Sequence, residues 1–179
     1  TRHLKALRWG FVPHWYKSMT GGPLLINARS ETIAEKPAFR EACRLRRCLI
    51  PADGFYEWSR KSGRPPIAYR VTRSDRQPMA MAGIWQDWES AGTRIKTCAI
   101  VTTEANTAMA KIHHRLPVIL GPEHWSLWLG EVGKGAAKLL HPVADEALEI
   151  CRVSVAVNSN RATGPDLWKP IAVGCGSEC

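Results

Sequence analysis

Residues 48–59 read Cys48-Leu49-Ile50-Pro51-Ala52-Asp53-Gly54-Phe55-Tyr56-Glu57-Trp58-Ser59, two short apolar runs separated by a Pro/Gly-punctuated break. Cys48–Pro51 and Phe55–Ser59 each have strand length and strand composition, and the residues between them are turn formers. Toward the amino terminus, Pro37–Leu45 reads as a short helix: Thr32 and Glu35 have capping-box spacing, and Pro37 suits a first helical turn. Before it lie an apolar run at Leu24–Ile26, a loop punctuated by Pro13, Gly21, Gly22 and Pro23, and a strand-like stretch from Leu4 to Val12. Toward the carboxyl terminus, Arg60–Pro65 reads as a hairpin turn into a strand at Ile67–Val71. Strands are expected at Met79–Trp85, Ile95–Thr102 and Ile150–Val157, and helices at Ala105–Ile112, Glu123–Leu129 behind Pro122, and Ala136–Leu140. Many short strands with a few short helices predict an α+β, mainly β fold, with a curled or barrel-like antiparallel sheet.

With 179 residues the chain suits one core, and a single domain over 1–179 is expected. An apolar fraction of 45% and a charged fraction of 23% are those of an ordinary globular protein. No apolar run approaches the roughly 20 residues that span a bilayer, and no secretory signal is visible. Twenty-five Lys and Arg against 16 Asp and Glu give a net charge of +9, which favours encounter with polyanions but specifies no reaction. Six cysteines, Cys43, Cys48, Cys98, Cys151, Cys175 and Cys179, form no Cys-x-x-Cys pair and have no zinc-type spacing. Cys98 and Cys151 lie in apolar strand-like runs and read as buried thiols. No metal and no cofactor fingerprint is found; reduced thiols, a cytoplasmic location and a monomer are expected.

Four places set polar groups in apolar surroundings. Asn27 and Arg29 follow the Leu24–Ile26 run and share a face if the stretch is extended, an amide and a cation suited to holding a nucleophile and a phosphate. An Asn there also caps turns, and taken alone that is the better reading. Glu57 shares a strand face with Phe55 and Ser59 between Tyr56 and Trp58; a carboxyl desolvated by aromatic bodies shifts toward the range of general acid/base work. A solvated edge-strand Glu beside a core Trp weighs equally. His113 and His114, beside Arg115 where a helix gives way to a strand, can move protons near neutral pH. From an extended chain only one of the two can face a site. Near the start, Trp9, Phe11, His14, Trp15 and Tyr16 interleave with Arg2, Lys5, Arg8 and Lys17, as single-stranded nucleic acid requires. Of these, Trp15 and Tyr16 are the better surface platform.

Those segments, in this order, resemble the SOS response-associated peptidase (SRAP) family. The resemblance rests on Trp9-Gly10-Phe11-Val12-Pro13-x-Trp15, Asn27-Ala28-Arg29-x-Glu31-Thr32, Arg47 through Trp58, Ala82-Gly83-Ile84-Trp85, Thr102-Thr103-Glu104-Ala105-Asn106 and Ile112-His113-His114-Arg115-x-Pro117. It implies capture of abasic sites in single-stranded DNA by an amino-terminal cysteine, whose amine and thiol close a thiazolidine on the open-chain aldehyde, with an associated autopeptidase activity. It further implies that Asn27 positions the cysteine, Glu57 serves as acid/base and His113 moves protons. Arg29 and Arg115 would hold phosphates, with Trp15 and Tyr16 near the bases. His114 stands where the family has an acidic residue or Asn. The sequence starts at Thr1, and none of its six cysteines occupies the nucleophile's place. The family's leading strand and its Cys-Gly-Arg segment are expected ahead of Thr1, and the chain as it stands is expected not to crosslink without them. Two other readings are a peptidase acting on other proteins and a non-covalent single-strand-binding module.

Overall fold

The computed structural model describes residues 1–60 and 65–171. In chain order the elements are β1 (Arg8–Trp9), β2 (Asn27–Arg29), α1 (Arg40–Leu45), β3 (Arg47–Ala52), β4 (Phe55–Ser59), β5 (Ile67–Arg73), β6 (Met79–Ser90), β7 (Thr93–Glu104), α2 (Thr107–Ala110), β8 (Arg115–Pro117), α3 (Pro122–Leu129) and β9 (Leu148–Arg152). The α+β, mainly β class expected from the sequence is the one observed. Packing divides the chain into two units. The first contains Thr1–Pro51, Ala80–Glu104 and Pro117–Pro142; the second contains Ala52–Met79, Ala105–Leu116 and the chain from Val143 onward.

In the first unit the sheet order is β1-β7-β6-β3, with β2 also on β7. β6 and β7 form a long antiparallel hairpin in register from Gly83↔Ile100 to Ser90↔Thr93. The other edge of β7 receives two short strands in parallel: β1 at Thr97–Cys98 and β2 at Ile100–Thr102. These parallel additions to the antiparallel β6–β7 hairpin had no signal in the sequence. Period-two alternation turns Ala82 and Ile84 on β6, and Ala99 and Val101 on β7, into one apolar cluster. Phe11, Ile33, Phe39, Val118 and Trp128 join it, with the Phe11 and Phe39 rings edge-on at 5.4 Å. Trp128 is 1% exposed, and its indole N–H is satisfied by the Cys48 carbonyl at 2.9 Å. Pro122 opens α3, and Gly130, at φ 76°, closes it in the left-handed region where glycine is unstrained.

The second unit is built on a three-stranded antiparallel sheet, β4-β5-β9. Glu57 lies opposite Tyr69, Tyr56 opposite Arg70, and Arg70 opposite Cys151. Ala68, Val71, Met79, Met109, Leu116 and Val153 are fully buried in this unit. Trp58 donates its indole N–H to Asn158 Oδ1 at 2.7 Å, tying β4 to the turn after β9.

Several sequence expectations shift in extent. The Leu4–Val12 strand contracts to β1 plus an isolated bridge from Phe11 to Leu25, and Leu4 is 90% exposed. The Pro37–Leu45 helix begins only at Arg40, because residues 29–39 close successive backbone turns, with Thr32 offering its carbonyl rather than a side-chain cap. The Ala105–Ile112 helix shrinks to α2, and Ala136–Leu140 becomes a 3-10 turn at Ala136–Leu139. The Ile150–Val157 strand ends at Arg152; Ser154 then caps a 3-10 turn at Val155–Asn158. β6 and β7 outrun their expected ends because Ala91 and Gly92, at φ 48° and 78°, make a two-residue turn that keeps both strands paired. The expected Arg60–Pro65 turn, and Cys175 and Cys179, lie outside the described residues.

Candidate active site

In the second unit, Glu57 and His113 come together. Glu57 Oε2 lies 3.7 Å from His113 Nδ1, with the two side chains 25% and 35% exposed. The carboxylate is steered by its own backbone, Oε1 accepting from the Trp58 N–H at 3.0 Å. Strand alternation sends Tyr56 and Trp58 to the opposite face, where their rings contact each other and Tyr56 meets Trp168. The aromatic neighbours therefore do not wrap the carboxyl as its sequence position suggested. What Glu57 does have is an imidazole within ion-pairing distance whenever that ring carries a second proton.

His113 is held by a short closed loop. Asn106 caps α2, its Oδ1 accepting from Met109 N–H at 2.9 Å and its Nδ2 donating to the Val143 carbonyl at 3.1 Å. The Ile112 and His113 N–H groups both donate to the Met109 carbonyl, and Ala105 N–H donates to the His114 carbonyl. The Arg115 N–H then donates to His113 Nδ1 at 3.2 Å. That bond is made when Nδ1 is unprotonated and the ring carries its proton on Nε2; with the proton on Nδ1 instead, the same nitrogen donates to the Arg115 carbonyl at 3.3 Å. A ring protonated on both nitrogens has Glu57 Oε2 at 3.7 Å from Nδ1 as a further acceptor. Nδ1 therefore has a donor or an acceptor beside it whichever nitrogen holds the proton.

His114 corrects the reading of the neighbouring histidines. The segment bends rather than extends, and the two rings lie 4.5 Å apart, tilted by 43°. Asn106 was quoted in the sequence only as part of a motif; its position just before a short apolar helix is the signal of a cap.

In the first unit, β2 presents Asn27 and Arg29 on one exposed face while Ala28, fully buried, turns inward. The shared face expected from spacing is the one observed. Its backbone is fixed on both sides, since Ile100 N–H donates to the Ile26 carbonyl and Ser30 N–H to the Thr102 carbonyl. Trp15 is 48% exposed and stacks edge-on with His14 and Tyr16. Its loop is anchored to β6 through the carbonyls of Tyr16 and Lys17, which accept from Trp88 Nε1 and Ser90 Oγ. Tyr16 is the less available of the expected pair, because its ring packs closely on Gly22. Trp9, passed over in the sequence, is 55% exposed and fixed by its indole N–H to the Ile26 carbonyl, one residue from Asn27.

The four described cysteines offer no activated thiolate. Burial, with Cys98 alongside, pushes the Cys48 thiol up to about 12. Burial also raises Cys43 and Cys98. Cys151, expected to be buried, is only half-buried and donates to Glu149 Oε1 at 3.4 Å; burial and that carboxylate raise it as well. A thiol raised in this way is a poor nucleophile at neutral pH.

Fold and side chains together define a β-rich protein that sets a glutamate beside a histidine and presents an amide and a guanidinium on a separate exposed strand. The chain belongs to the SOS response associated peptidase (SRAP) family, whose model matches residues 1–160. It is 39% identical over 168 residues to the abasic site processing protein YoqW of Bacillus subtilis, covering 92% of this chain and 75% of that protein. It is 34% identical over 198 residues to the abasic site processing protein HMCES of Rattus norvegicus, covering 92% of this chain and 56% of that one. A crystal structure of a Bacteroides thetaiotaomicron protein superposes with a TM-score of 0.84 at 29% identity, over 92% of this chain and 75% of that chain. One from Bordetella bronchiseptica gives 0.75 at 28%, over 83% and 76%. No helix among the described residues is long and apolar enough to cross a membrane.

Proposed function

We propose that this domain processes abasic sites in single-stranded DNA by capturing them covalently. The nucleophile is the amino-terminal cysteine that the family resemblance implies. Its neutral amine adds to the open-chain aldehyde, the carbinolamine loses water to give an imine, and the thiol adds across the imine carbon to close the thiazolidine. The net change is aldehyde plus aminothiol to thiazolidine plus one water. Each stage moves a proton, and the observation that carries the proposal is the Glu57–His113 pair at 3.7 Å.

Glu57 delivers the proton that the departing hydroxyl needs and takes one from the attacking amine. His113, with Nδ1 set by Arg115, passes protons during ring closure and its reversal. Asn27 orients the cysteine, and Arg29 and Arg115 hold phosphates. Trp15, with Tyr16, lies against bases. The relatives' names as abasic site processing proteins support the substrate. The raised thiols of Cys43, Cys48, Cys98 and Cys151 support a nucleophile other than these four.

The test uses the complete open reading frame and a single-stranded oligonucleotide carrying one abasic site. A denaturing gel is expected to show an adduct, and mass spectrometry to find it on the amino-terminal cysteine at the summed mass less one water. Glu57→Gln and His113→Ala are expected to slow its formation while single-strand affinity is retained. No adduct from protein verified to begin with that cysteine would overturn the reading. Cleavage of peptides in the absence of DNA would favour a general peptidase instead.

A further inference from the structure

β4, β5 and β9 have a second face, turned away from Glu57 and used by nothing in the capture reaction. The register places Tyr56, Arg70 and Cys151 on that face and Glu57, Tyr69 and Arg152 on the other. At its end lies a cleft of about 450 Å³, within the size range of small-molecule sites, whose walls include Asp53, Arg70, Arg73, Arg76, Glu149 and Trp168.

Arg70 is the built part of this cleft. Its side chain is only 12% exposed, and Nη2 is held by Glu149 Oε1 at 2.7 Å while Nη1 donates to the Trp168 carbonyl at 3.0 Å. The guanidinium carbon lies 5.7 Å from the centroid of the Trp168 indole. Its Nε–H is buried and meets no acceptor among the described residues, a donor that costs free energy unless something satisfies it. Gly54 admits the arrangement: a Cβ there would run into the Val71 carbonyl and close on Thr72 and the edge of Trp168.

The lining is not a simple anion sink. Asp53 and Glu149 stand among the three arginines, and Asp75 is paired with Arg73, so the charges balance. A bare phosphate gains little from such a site. A ligand with a flat ring, an acceptor edge for guanidinium and a donor edge for carboxylate uses all of it. Among biological rings, guanine has that combination, with O6 and N7 as acceptors for arginine and N1–H with the 2-amino group as donors for a carboxylate.

We propose that this cleft is a guanine-binding site, taking either a free guanine nucleotide or an unpaired guanine in a DNA strand. Arginine reads the acceptor edge, Asp53 takes the donor edge and Trp168 with Arg70 supplies the flat wall. Occupancy is independent of abasic-site capture, since no residue of the cleft belongs to the proposed reaction.

Calorimetric titration of the intact chain with dGMP, dCMP and inorganic phosphate tests it. Saturable dGMP binding is expected, with dCMP at least tenfold weaker and phosphate weaker still. Asp53→Asn and Arg76→Ala, both at exposed positions, are each expected to weaken dGMP about tenfold, and Trp168→Ala to abolish it. The source is read by repeating the titration with an oligothymidylate that does or does not contain one guanine. A guanine-dependent gain sensitive to Asp53→Asn assigns the site to strands; its absence, with dGMP still bound, assigns it to free nucleotide. Equal binding of dGMP and dCMP, phosphate binding as well as dGMP, or affinity unmoved by Asp53→Asn and Arg76→Ala would each overturn the proposal.

Discussion

The sheet around β7 and the sheet around β5 hold their residues in different ways. In the first, Ala82, Ile84, Ala99 and Val101 are entirely buried, and they pack with Phe11, Ile33 and Trp128. The polar residues Asn27 and Arg29 stand outside that core on a strand oriented by a backbone ladder. In the second, Val71 and Ala68 are buried, and their neighbours on the strands, among them Glu57, Tyr69 and Arg70, are half-buried. Glu57 is placed by Trp58 N–H and His113, and Arg70 by Glu149 and the Trp168 carbonyl. A position set by a ladder tolerates substitution of the side chain it presents. One set by side-chain hydrogen bonds loses its geometry with its partner. On the proposed reading, the first unit is expected to carry the larger share of stability and the second the proton chemistry.

The largest test of that division is Trp128→Ala. Removing an indole that is 1% exposed, and leaving the Cys48 carbonyl without its donor, is expected to cost about 3–5 kcal/mol in urea unfolding. Trp58→Ala, in the second unit, removes a half-buried ring with one hydrogen bond to Asn158 and is expected to cost about 1–2 kcal/mol. Equal losses would dissolve the comparison.

Next in size is a contrast in function. Glu57→Gln keeps the side chain's shape and removes its proton exchange, so the abasic-site capture rate is expected to fall roughly 100-fold with an unchanged unfolding midpoint. Arg29→Ala should leave the rate at saturating DNA unchanged. It should instead weaken single-strand binding and reduce the slope of log affinity against log salt by about one phosphate contact. A rate loss in Arg29→Ala as large as in Glu57→Gln would show that the strand face takes part in the chemistry.

Asn106→Ala probes the point where stability and chemistry meet in one unit. Loss of the α2 cap and of the Val143 bond is expected to cost about 1–2 kcal/mol, and the freed loop should lower the capture rate by misplacing His113. Asn106→Asp keeps the acceptor for Met109 N–H but not the donor to Val143, so partial recovery of rate is expected, measured with denaturant curves on the same samples. A full rate in Asn106→Ala would release His113 from dependence on this cap.

How much of this was legible depended on whether a pattern is local. Phe55–Ser59 was read with its observed limits because its apolar residues, its alternation and its flanking Gly54 all sit within one stretch. The common face of Asn27 and Arg29 followed from period two alone. The parallel seating of β1 and β2 on β7 involves partners some 70–90 residues away, and nothing in two- or three-residue strands encodes it. Among the candidate site residues, Glu57 and His113 were singled out by type and motif, but their contact joins a strand to a loop and required the fold. The opposite facing of Tyr56 and Trp58 was implied by the alternation used for Glu57, yet neighbours in sequence were read as neighbours in space. Cys151 was read as buried from its apolar flanks, whereas β9 leaves it beside Glu149.

The smallest expected effect lies in the turn that joins β6 to β7. Ala91 and Gly92 both have positive φ, 48° and 78°, which is the two-residue hairpin turn whose twist matches the strands it connects. Gly92 adopts that backbone freely, but Ala91 brings its Cβ against the carbonyl that follows, at a cost of about 1 kcal/mol. Asn tolerates the left-handed region better, so Ala91→Asn is expected to raise stability by about 0.5–1 kcal/mol at unchanged denaturant slope. The gain should appear with no change in the capture rate, because the hairpin belongs to the unit held by its ladder. A loss of stability would mean that this turn does not hold the left-handed backbone in solution. A changed rate at constant stability would mean that the hairpin reaches the chemistry, and the division between a structural and a chemical unit would then have to be redrawn around it.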